Sequence, residues 1–499
     1  MVLYYHESFF FAIFFEKKLA KTWLNIRNNF FILFLKKQLQ ISFGNSKIFL
    51  CIKKWGENVF SNKALRNLIV PLIIEQLLGV TIGVADTIMV SSCGEAAVSG
   101  ISLVDTINFL LIMIFSSLAT GGAVICSQYI GRGDKKNANL AAKQLFYSIL
   151  VLSLFISILA ITLRTTALRL IFGSIEADVM YNAKIYFLLS ALSYPFLGIY
   201  NAGAALFRAM GDSKTSMYIS VLMNTINVVG NAIGIYALKL GVTGAASATL
   251  LSRIVGAVLI TVLLLNRNRI LFYDQLRKPE FKFSIIKSIL QIGVPNGLEN
   301  GIFQIGKILV SSIVAGFGTV AITANAVAGN LASIQVIPGS AIGMAMITVV
   351  GQCVGAKNYD DVKKYTKKLM MLTFIVTWVM TGFMLLFSDL ILSFYALSPE
   401  TKKLTMEVFT VHGICAVVIW PFAFTLPNAL RAANDARFTM LVSLFSMWTF
   451  RIAFSYVLAL YFNLGVVGIW IAMCIDWLCR AVFFIIRFAK GKWKSISYI

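Results

Sequence analysis

The sequence predicts an all-α membrane protein of twelve transmembrane helices, arranged as two six-helix lobes related by a pseudo-two-fold axis along the membrane normal. Three observations predict it. Of 499 residues, 59% are hydrophobic and only 13% charged, against about 45–50% and about 25% in ordinary soluble domains. Apolar runs long enough to cross a bilayer, about 20 residues each, alternate with short polar breaks from Asn67 onward. Polar and turn residues then recur at a constant displacement between the two halves. The composition excludes a water-soluble globule, a disordered chain and a disulfide-stapled secreted domain.

Residues 1–63 come first. Their apolar bursts, Phe9–Phe15 and Phe30–Leu35, are too short to span and are broken by Lys17, Lys18, Lys36 and Lys37. No small-residue cleavage site follows, so the segment is not a signal peptide. It reads as a basic, aromatic extension, disordered or lying at the membrane surface. Because no methionine falls between Met1 and Met89, translated upstream sequence is an alternative reading.

Spans over 67–90, 98–128, 143–163, 182–207, 217–238 and 241–265 make an N-lobe of 64–265. Asn266–Ser284, the longest polar break, reads as a cytoplasmic linker. Spans over 285–315, 320–350, 368–388, 405–430, 438–461 and 465–487 make a C-lobe of 285–490, and 491–499 a cytoplasmic tail.

The breaks sort by charge. Arg132, Lys135, Lys136 and Lys143 follow the second span, Arg208 and Lys214 the fourth, and Arg267, Arg269, Arg277 and Lys278 the sixth. Lys357, Lys363, Lys364, Lys367 and Lys368 follow the eighth, Arg431 and Arg437 the tenth, and Arg487, Lys490, Lys492 and Lys494 the twelfth. The odd-numbered breaks are poor in cations by comparison, and only the third and ninth are mixed, with Arg164, Arg169, Glu176 and Asp178 in one and Asp389, Glu400, Lys402 and Lys403 in the other. Cationic loops stay on the cytoplasmic side, so both termini are expected there, in the plasma (cell inner) membrane. The net charge of +23 then reports topology and attraction to anionic lipid, not nucleic acid.

A displacement of 224 residues lays Pro71 and Glu75 on Pro295 and Glu299, Gly94 and Ala97 on Gly318 and Ala321, Gln128 and Gly131 on Gln352 and Gly355, and Gly241 and Gly244 on Gly465 and Gly468. At 223, Arg208 and Asp212 fall on Arg431 and Asp435. Generic similarity between apolar helices would give drifting offsets and unmatched polar residues. An even number of spans per repeat gives both halves one orientation. Two like-facing bundles around a cleft suit a rocking transporter better than an axial channel.

A charge in hydrocarbon costs about 2.5–3.5 kcal/mol at a helix centre, so each needs a partner or a wet cavity. Glu75 and Asp86 are eleven residues apart, which puts them on one helix face about 16 Å apart along the axis. Gly79 and Gly83 lie near that face and would admit another helix or a solute. In the seventh span Asn296, Glu299, Asn300 and Lys307 share one polar face. Asp105, Arg253, Arg451, Asp476 and Arg480 also lie within spans, and Asp476 with Arg480 forms an i,i+4 pair suited to a structural role. Arg451 stands where the first half has Asn227, and Lys307 where it has Gly83. Asp86 aligns with Val310 and so has no counterpart. An unmatched carboxylate in a cleft is the leading candidate for reversible protonation or cation binding, the alternative being a carboxylate locked to Lys307 or Arg451. Glu75 and Glu299 follow a proline by four residues, where bonding to freed backbone groups is an equal reading.

Gln128-Tyr-Ile-Gly131-Arg-Gly-Asp134 and Gln352-Cys-Val-Gly355-Ala-Lys-Asn358 close equivalent spans with Gly-rich turns, and Arg208-Ala-Met-Gly211-Asp212 and Arg431-Ala-Ala-Asn434-Asp435 close another pair. None is a phosphate-binding GxxxxGK[ST] or GxGxxG loop, so energy must come from an ion gradient or a downhill solute. No HExxH, GxSxG or paired-aspartate motif supports an enzyme. Seven cysteines without CxxC or CxxH spacing and only His6 and His412 support no metal site. No cofactor is expected beyond a coupling ion.

At these residues the sequence resembles the multidrug and toxic compound extrusion (MATE) family, within the larger group of polysaccharide and lipid-linked flippases. The resemblance runs over 64–490 and rests on Pro71, Glu75, Asp86-Thr-Ile-Met-Val, Gly94-Glu-Ala-Ala-Val-Ser-Gly, Gln128-Tyr-Ile-Gly131, Leu206-Phe-Arg208-Ala-Met-Gly211-Asp212, Asn227, Gly241-Val-Thr-Gly244, and Gly318-Thr-Val-Ala-Ile-Thr-Ala with Gln352. It implies a V-shaped pair of lobes and a monomer that exports cationic, amphipathic compounds in exchange for H⁺ or Na⁺. By position, Asp86 matches the family's first-helix aspartate used for cation-linked transport, and Asn227 the fifth-helix asparagine near it. Where one branch has an aspartate four residues later, this chain has Asn231, and the C-lobe acids of the NorM-type branch fall near Phe303 and Trp420. Glu299, one turn from Phe303, is a possible substitute. The N-lobe set Asp86, Asn227 and Asn231 is therefore the expected coupling site, with Glu75, Asp105, Glu299, Lys307 and Arg451 as secondary polar candidates. The competing expectation is a flippase for a lipid-linked saccharide, whose cleft would use cations such as Lys307, Arg253 and Arg451 to hold pyrophosphate.

Overall fold

A computed structural model of the protein describes residues 60–498 apart from 174, 277 and 279. Most of the extension expected over 1–63 lies outside the described residues, as does Arg277. Among the described residues eleven helices are long and apolar enough to cross a membrane, and a bent pair supplies a twelfth span. They are α1 (Asn62–Ser91), α2 (Glu95–Arg132), α3 (Lys135–Phe172), α4 (Ala177–Ala209), α5 (Ser213–Ala237) and α6 (Gly241–Leu264). The second six are α7 (Phe283–Ala315), α8 (Thr319–Gly355), α9 (Tyr359–Leu386), α10 (Pro399–Val418 with Pro421–Ala432), α11 (Ala436–Tyr461) and α12 (Gly465–Ala489).

Most helices outrun the apolar stretches because their caps lie beyond the hydrocarbon run. Asp134 and Asp212 accept from the backbone N–H groups of Asn137 and Thr215 at 3.0 and 3.3 Å, and Ser398 accepts from Thr401 at 3.2 Å ahead of a proline in the first turn. Each satisfies an otherwise orphaned N–H. α10 differs from the unbroken span expected over 405–430: it starts at Pro399 and bends by 64° at the break between Val418 and Pro421. A proline there has no N–H to give and its ring crowds the preceding turn.

The turns repeat along with the sequence. Gly94 and Gly318 have φ of 99° and 86°, and Gly211 and Asn434 of 82° and 70°. Positive φ is easy only for glycine and, next, asparagine, which is why those residues recur at that spacing. Gly131 and Gly355 prove not to be turn residues. Both are helical and mark a crossing of α2 and α8: a Cβ on Gly131 would lie 1.9 Å from the Gln352 carbonyl oxygen, and one on Gly355 would lie 1.9 Å from that of Gln128.

This crossing belongs to a larger seam between the lobes at the end carrying the basic loops. Leu65, Leu68, Ile69 and Leu72 of α1 pack into one cluster with Ala341–Val350 of α8. Reciprocally, Ile285, Ile289 and Ile292 of α7 pack into the N-lobe cluster around Leu118 and Leu145. At the opposite end the lobes keep separate cores. Val90, Ala97, Ile101, Ile235 and Val242 form one, and Ile313, Ala321, Val327, Phe409 and Trp470 belong to the other. The lobes thus join at one end and part at the other, leaving a cleft.

Described residues of the stretch expected as a linker form a strap on the N-lobe. Phe272 N–H donates to Asn139 Oδ1 at 2.9 Å, while the Gln144 amide donates to the Glu280 carbonyl at 2.6 Å and accepts from Lys282 N–H at 3.2 Å. Beyond α12, Trp493 is buried and the Tyr498 carbonyl accepts from Ser288 Oγ at 2.9 Å.

Candidate functional site

Asp86 opens into a cavity of about 290 Å³ inside the N-lobe, walled by α1, α2, α4, α5 and α6. Its Oδ1 accepts from Asn231 Nδ2 at 2.7 Å. With its amide turned so that both of its polar atoms are satisfied, Asn227 donates to the two carboxylate oxygens at 2.9 and 3.1 Å and accepts from Thr249 Oγ1 at 3.0 Å. The structure thus brings together the three residues singled out in sequence. Among the described residues no cation lies within ion-pair distance of Asp86, and neither Lys307 nor Arg451 locks it. Two neutral amides orient an ionised carboxylate but leave its charge uncancelled.

The same cavity holds Asp105 and Arg253. Asp105 accepts from Asn108 Nδ2 at 3.1 Å and from the Tyr186 hydroxyl at 3.2 Å, and Asn108 in turn accepts from the Tyr194 hydroxyl at 2.8 Å. Arg253 donates to Ser193 Oγ at 2.5 Å. With both acids ionised the cavity carries one net negative charge, in a wall otherwise built of hydroxyls, amides and small apolar residues. Gly83 lines it, and a Cβ added at Gly79 or Gly83 would meet nothing within 4 Å. The face that α1 shows there fronts open space, and no helix packs against those glycines.

Sequence reasoning missed the Asn108–Tyr186–Tyr194 network and Thr249. The spacing of Asp105 and Asn108, one helical turn apart inside an apolar run, is the signal that marks the first of these.

Glu75 and Glu299 are not bonded to backbone freed by their prolines. Glu75 accepts from Ser216 Oγ at 3.1 Å and faces Arg208 at 3.7 Å, and Glu299 accepts from Ser443 Oγ at 2.7 Å and pairs with Arg431 at 2.7 Å. These are one ion pair made twice by the repeat, placed where α1 meets α4 and α5, and α7 meets α10 and α11. Glu299 is therefore committed to Arg431 and is no free substitute for a C-lobe acid. Asp212 caps α5 and pairs with Arg269 at 3.1 Å.

The C-lobe interior has the opposite character. Asp476 accepts from Arg480 Nε at 2.9 Å and Ser446 Oγ at 2.6 Å, with Arg451 Nη1 at 3.6 Å. Both guanidinium groups lie over the Phe303 ring, at 5.0 and 5.5 Å from its centre. Asp476 and Arg480 do satisfy each other as their spacing suggests.

Gln128 and Gln352 reach across the seam. Gln128 Nε2 donates to the Ala432 carbonyl at 2.8 Å and to Asn434 Oδ1 at 2.9 Å, and Gln352 Nε2 donates to the Ala209 carbonyl at 2.8 Å.

The model of the MatE family matches residues 71–233 and 295–457, both stretches beginning and ending at the same 224-residue displacement. The chain is 26% identical over 442 residues to the probable multidrug resistance protein NorM of Thermotoga maritima, covering 87% of this chain and 93% of that protein. It is also 26% identical over 448 residues to the uncharacterized transporter YisQ of Bacillus subtilis, covering 89% and 96%. A solved structure of a multidrug resistance MATE family transporter in an outward-facing conformation superimposes with a TM-score of 0.81 at 22% identity, over 87% of this chain and 97% of that one.

Proposed function

The chain belongs to the MatE family, and on that premise we propose that it is a secondary-active antiporter exporting cationic, amphipathic compounds in exchange for H⁺ or Na⁺. The observation that carries the reading is the Asp86 carboxylate, held by two amides and no cation in a polar cavity. Such a group takes up a proton or a small cation, or a cationic drug, but has less reason to hold two at once. That competition couples export to import. Asn231 and Asn227 position it, and Asp105 adds charge to the same cavity.

In this reading the basic loops face the cytoplasm of a plasma-membrane protein with both termini inside, the protein works as a monomer, and its cleft opens outward. The N-lobe of 64–265 and the C-lobe of 285–490 rock about the seam, with 266–284 as connection and 491–499 as tail. The names of the relatives, a multidrug resistance protein and a transporter, support export of small molecules over enzymatic chemistry. A second reading, flipping of a lipid-linked saccharide, is favoured only by the cationic C-lobe interior.

The test is dye efflux from vesicles under an imposed pH or Na⁺ gradient, wild type beside Asp86→Asn. Gradient-driven efflux is expected to fall at least about tenfold, a loss of about 1.4 kcal/mol in coupling, with the variant still folded. Full activity in the variant excludes the coupling role of Asp86. Indifference of the wild type to both gradients, with movement of an undecaprenyl-type lipid instead, favours the flippase.

A further inference from the structure

Resting on the transport reading above, we propose that Lys307, Arg451 and Arg480 form a C-lobe site for an oxyanion carried on an amphiphile.

Charge is the first argument. Arg451 and Arg480 share one carboxylate, Asp476, and Lys307 adds a third cation on α7, where the acid Glu299 is spent on Arg431. The cluster therefore holds two positive charges in excess inside the membrane, where a charge without a partner is costly. Hydrogen bonding is the second. Arg451 is only 8% exposed, yet its Nε and Nη1 have no hydrogen-bond partner, and Nη1 reaches Asp476 only at 3.6 Å. A guanidinium with free N–H groups fits an oxyanion's paired oxygens. Lys307, one turn beyond Phe303 on α7, is exposed and has no carboxylate within ion-pair distance among the described residues.

Position is the third argument, independent of the other two. The repeat counterparts of Arg451 and Lys307 are Asn227 and Gly83, and both line the N-lobe cavity. Cations thus replace neutral residues twice at the place where the other lobe has its chamber. Phe303, under both guanidinium groups, gives the hydrocarbon part of such a molecule a surface beside the charge. A purely structural cluster would need one arginine for Asp476, and Arg480 already fills that role.

The full chain in phosphatidylcholine nanodiscs is titrated with hexyl phosphate, hexanoate and hexyltrimethylammonium, following tryptophan fluorescence; Trp477 packs on Phe424, which lies under Arg480. The wild type is expected to bind hexyl phosphate or hexanoate saturably, the tighter of the two identifying a phosphate or a carboxylate as the natural group. Lys307→Gln and Arg451→Gln are expected to weaken that oxyanion about tenfold and to tighten hexyltrimethylammonium, because a repelling charge is removed. Misfolding would weaken both probes, and Lys307→Gln, at an exposed side chain, carries the test if Arg451→Gln does not fold. Absence of saturable oxyanion binding, or unchanged affinity in Lys307→Gln, overturns the site. Binding is read without a gradient, so failure of the antiport reading registers separately.

Discussion

Gln128 and Gln352 make the same bond in opposite directions: each sends its amide nitrogen 2.8 Å to a backbone carbonyl at the end of a helix in the other lobe, Ala432 for one and Ala209 for the other. Two-fold related bonds at the closed end of a cleft resist separation of the lobes without favouring either. Replacing either glutamine by alanine removes a net contribution of about 1 kcal/mol and strands a buried carbonyl. The double variant is expected to populate the state opened at the basic-loop end. A cysteine at Ser127, which now lies against Gly351, should react with a membrane-impermeant maleimide about tenfold faster from that side.

Gly131 and Gly355 allow two backbones to touch, and neither site has room for a methyl group. Gly355→Ala and Gly131→Ala are expected to lower the melting temperature through overpacking costing about 1–3 kcal/mol. Gly79→Ala, with nothing within 4 Å of its new methyl, is expected to leave it unchanged or slightly higher through helix propensity. Thermal unfolding of the three variants in one detergent compares them.

The two repeated ion pairs differ in closeness. Glu299 and Arg431 stand at 2.7 Å with side chains about 10% exposed, whereas Glu75 and Arg208 stand at 3.7 Å. Removing one member of a buried pair leaves the other unpaired, which costs about 3–5 kcal/mol. Glu299→Gln should therefore destabilise the protein more than Glu75→Gln, and Glu299→Gln with Arg431→Gln should recover part of the loss. An equal shift in melting temperature for the two single variants would falsify the ranking.

Outside the spans, Asp134 caps α3. The Asn137 backbone N–H and side-chain amide hold its carboxyl below the usual carboxylate range. A depressed value in the folded protein means that its contribution is present above the ordinary carboxylate pKa of about 4 and is lost as pH falls through the lowered one. Stability measured from pH 6 downward should fall less steeply in Asp134→Asn than in wild type over that acid window.

The spans and the repeat were legible because they are written in one dimension: apolar run length, eight prolines, and turn residues such as Gly94 and Gly318 whose backbone demands them. Asp86 stood out because it had no counterpart, and its face of α1 followed from helical periodicity. Periodicity gives a face but not the neighbour across it. That Glu75 meets Arg208, that Asn231 rather than a lysine meets Asp86, and that Gly131 sits in a helix crossing depend on packing between distant segments. The bend in α10 also escaped, since Pro421 lies inside an otherwise continuous apolar run whose length alone suits a single span.

The exchange of α1 and α7 between lobes bears on how the chain is made. Gly121 of α2 packs against the backbone of Ile289 and Gly293, and a Cβ there would come within 2.5 Å of the Ile289 carbonyl oxygen. That groove stays uncovered while the ribosome completes the first six helices, so the N-terminal half leaves synthesis as an unfinished unit that waits for the seventh. Severing the peptide between Lys282 and Ser284, after the strap has docked, should yield two fragments that complement each other when co-expressed. Neither is expected to accumulate alone, because each keeps part of its partner's interior.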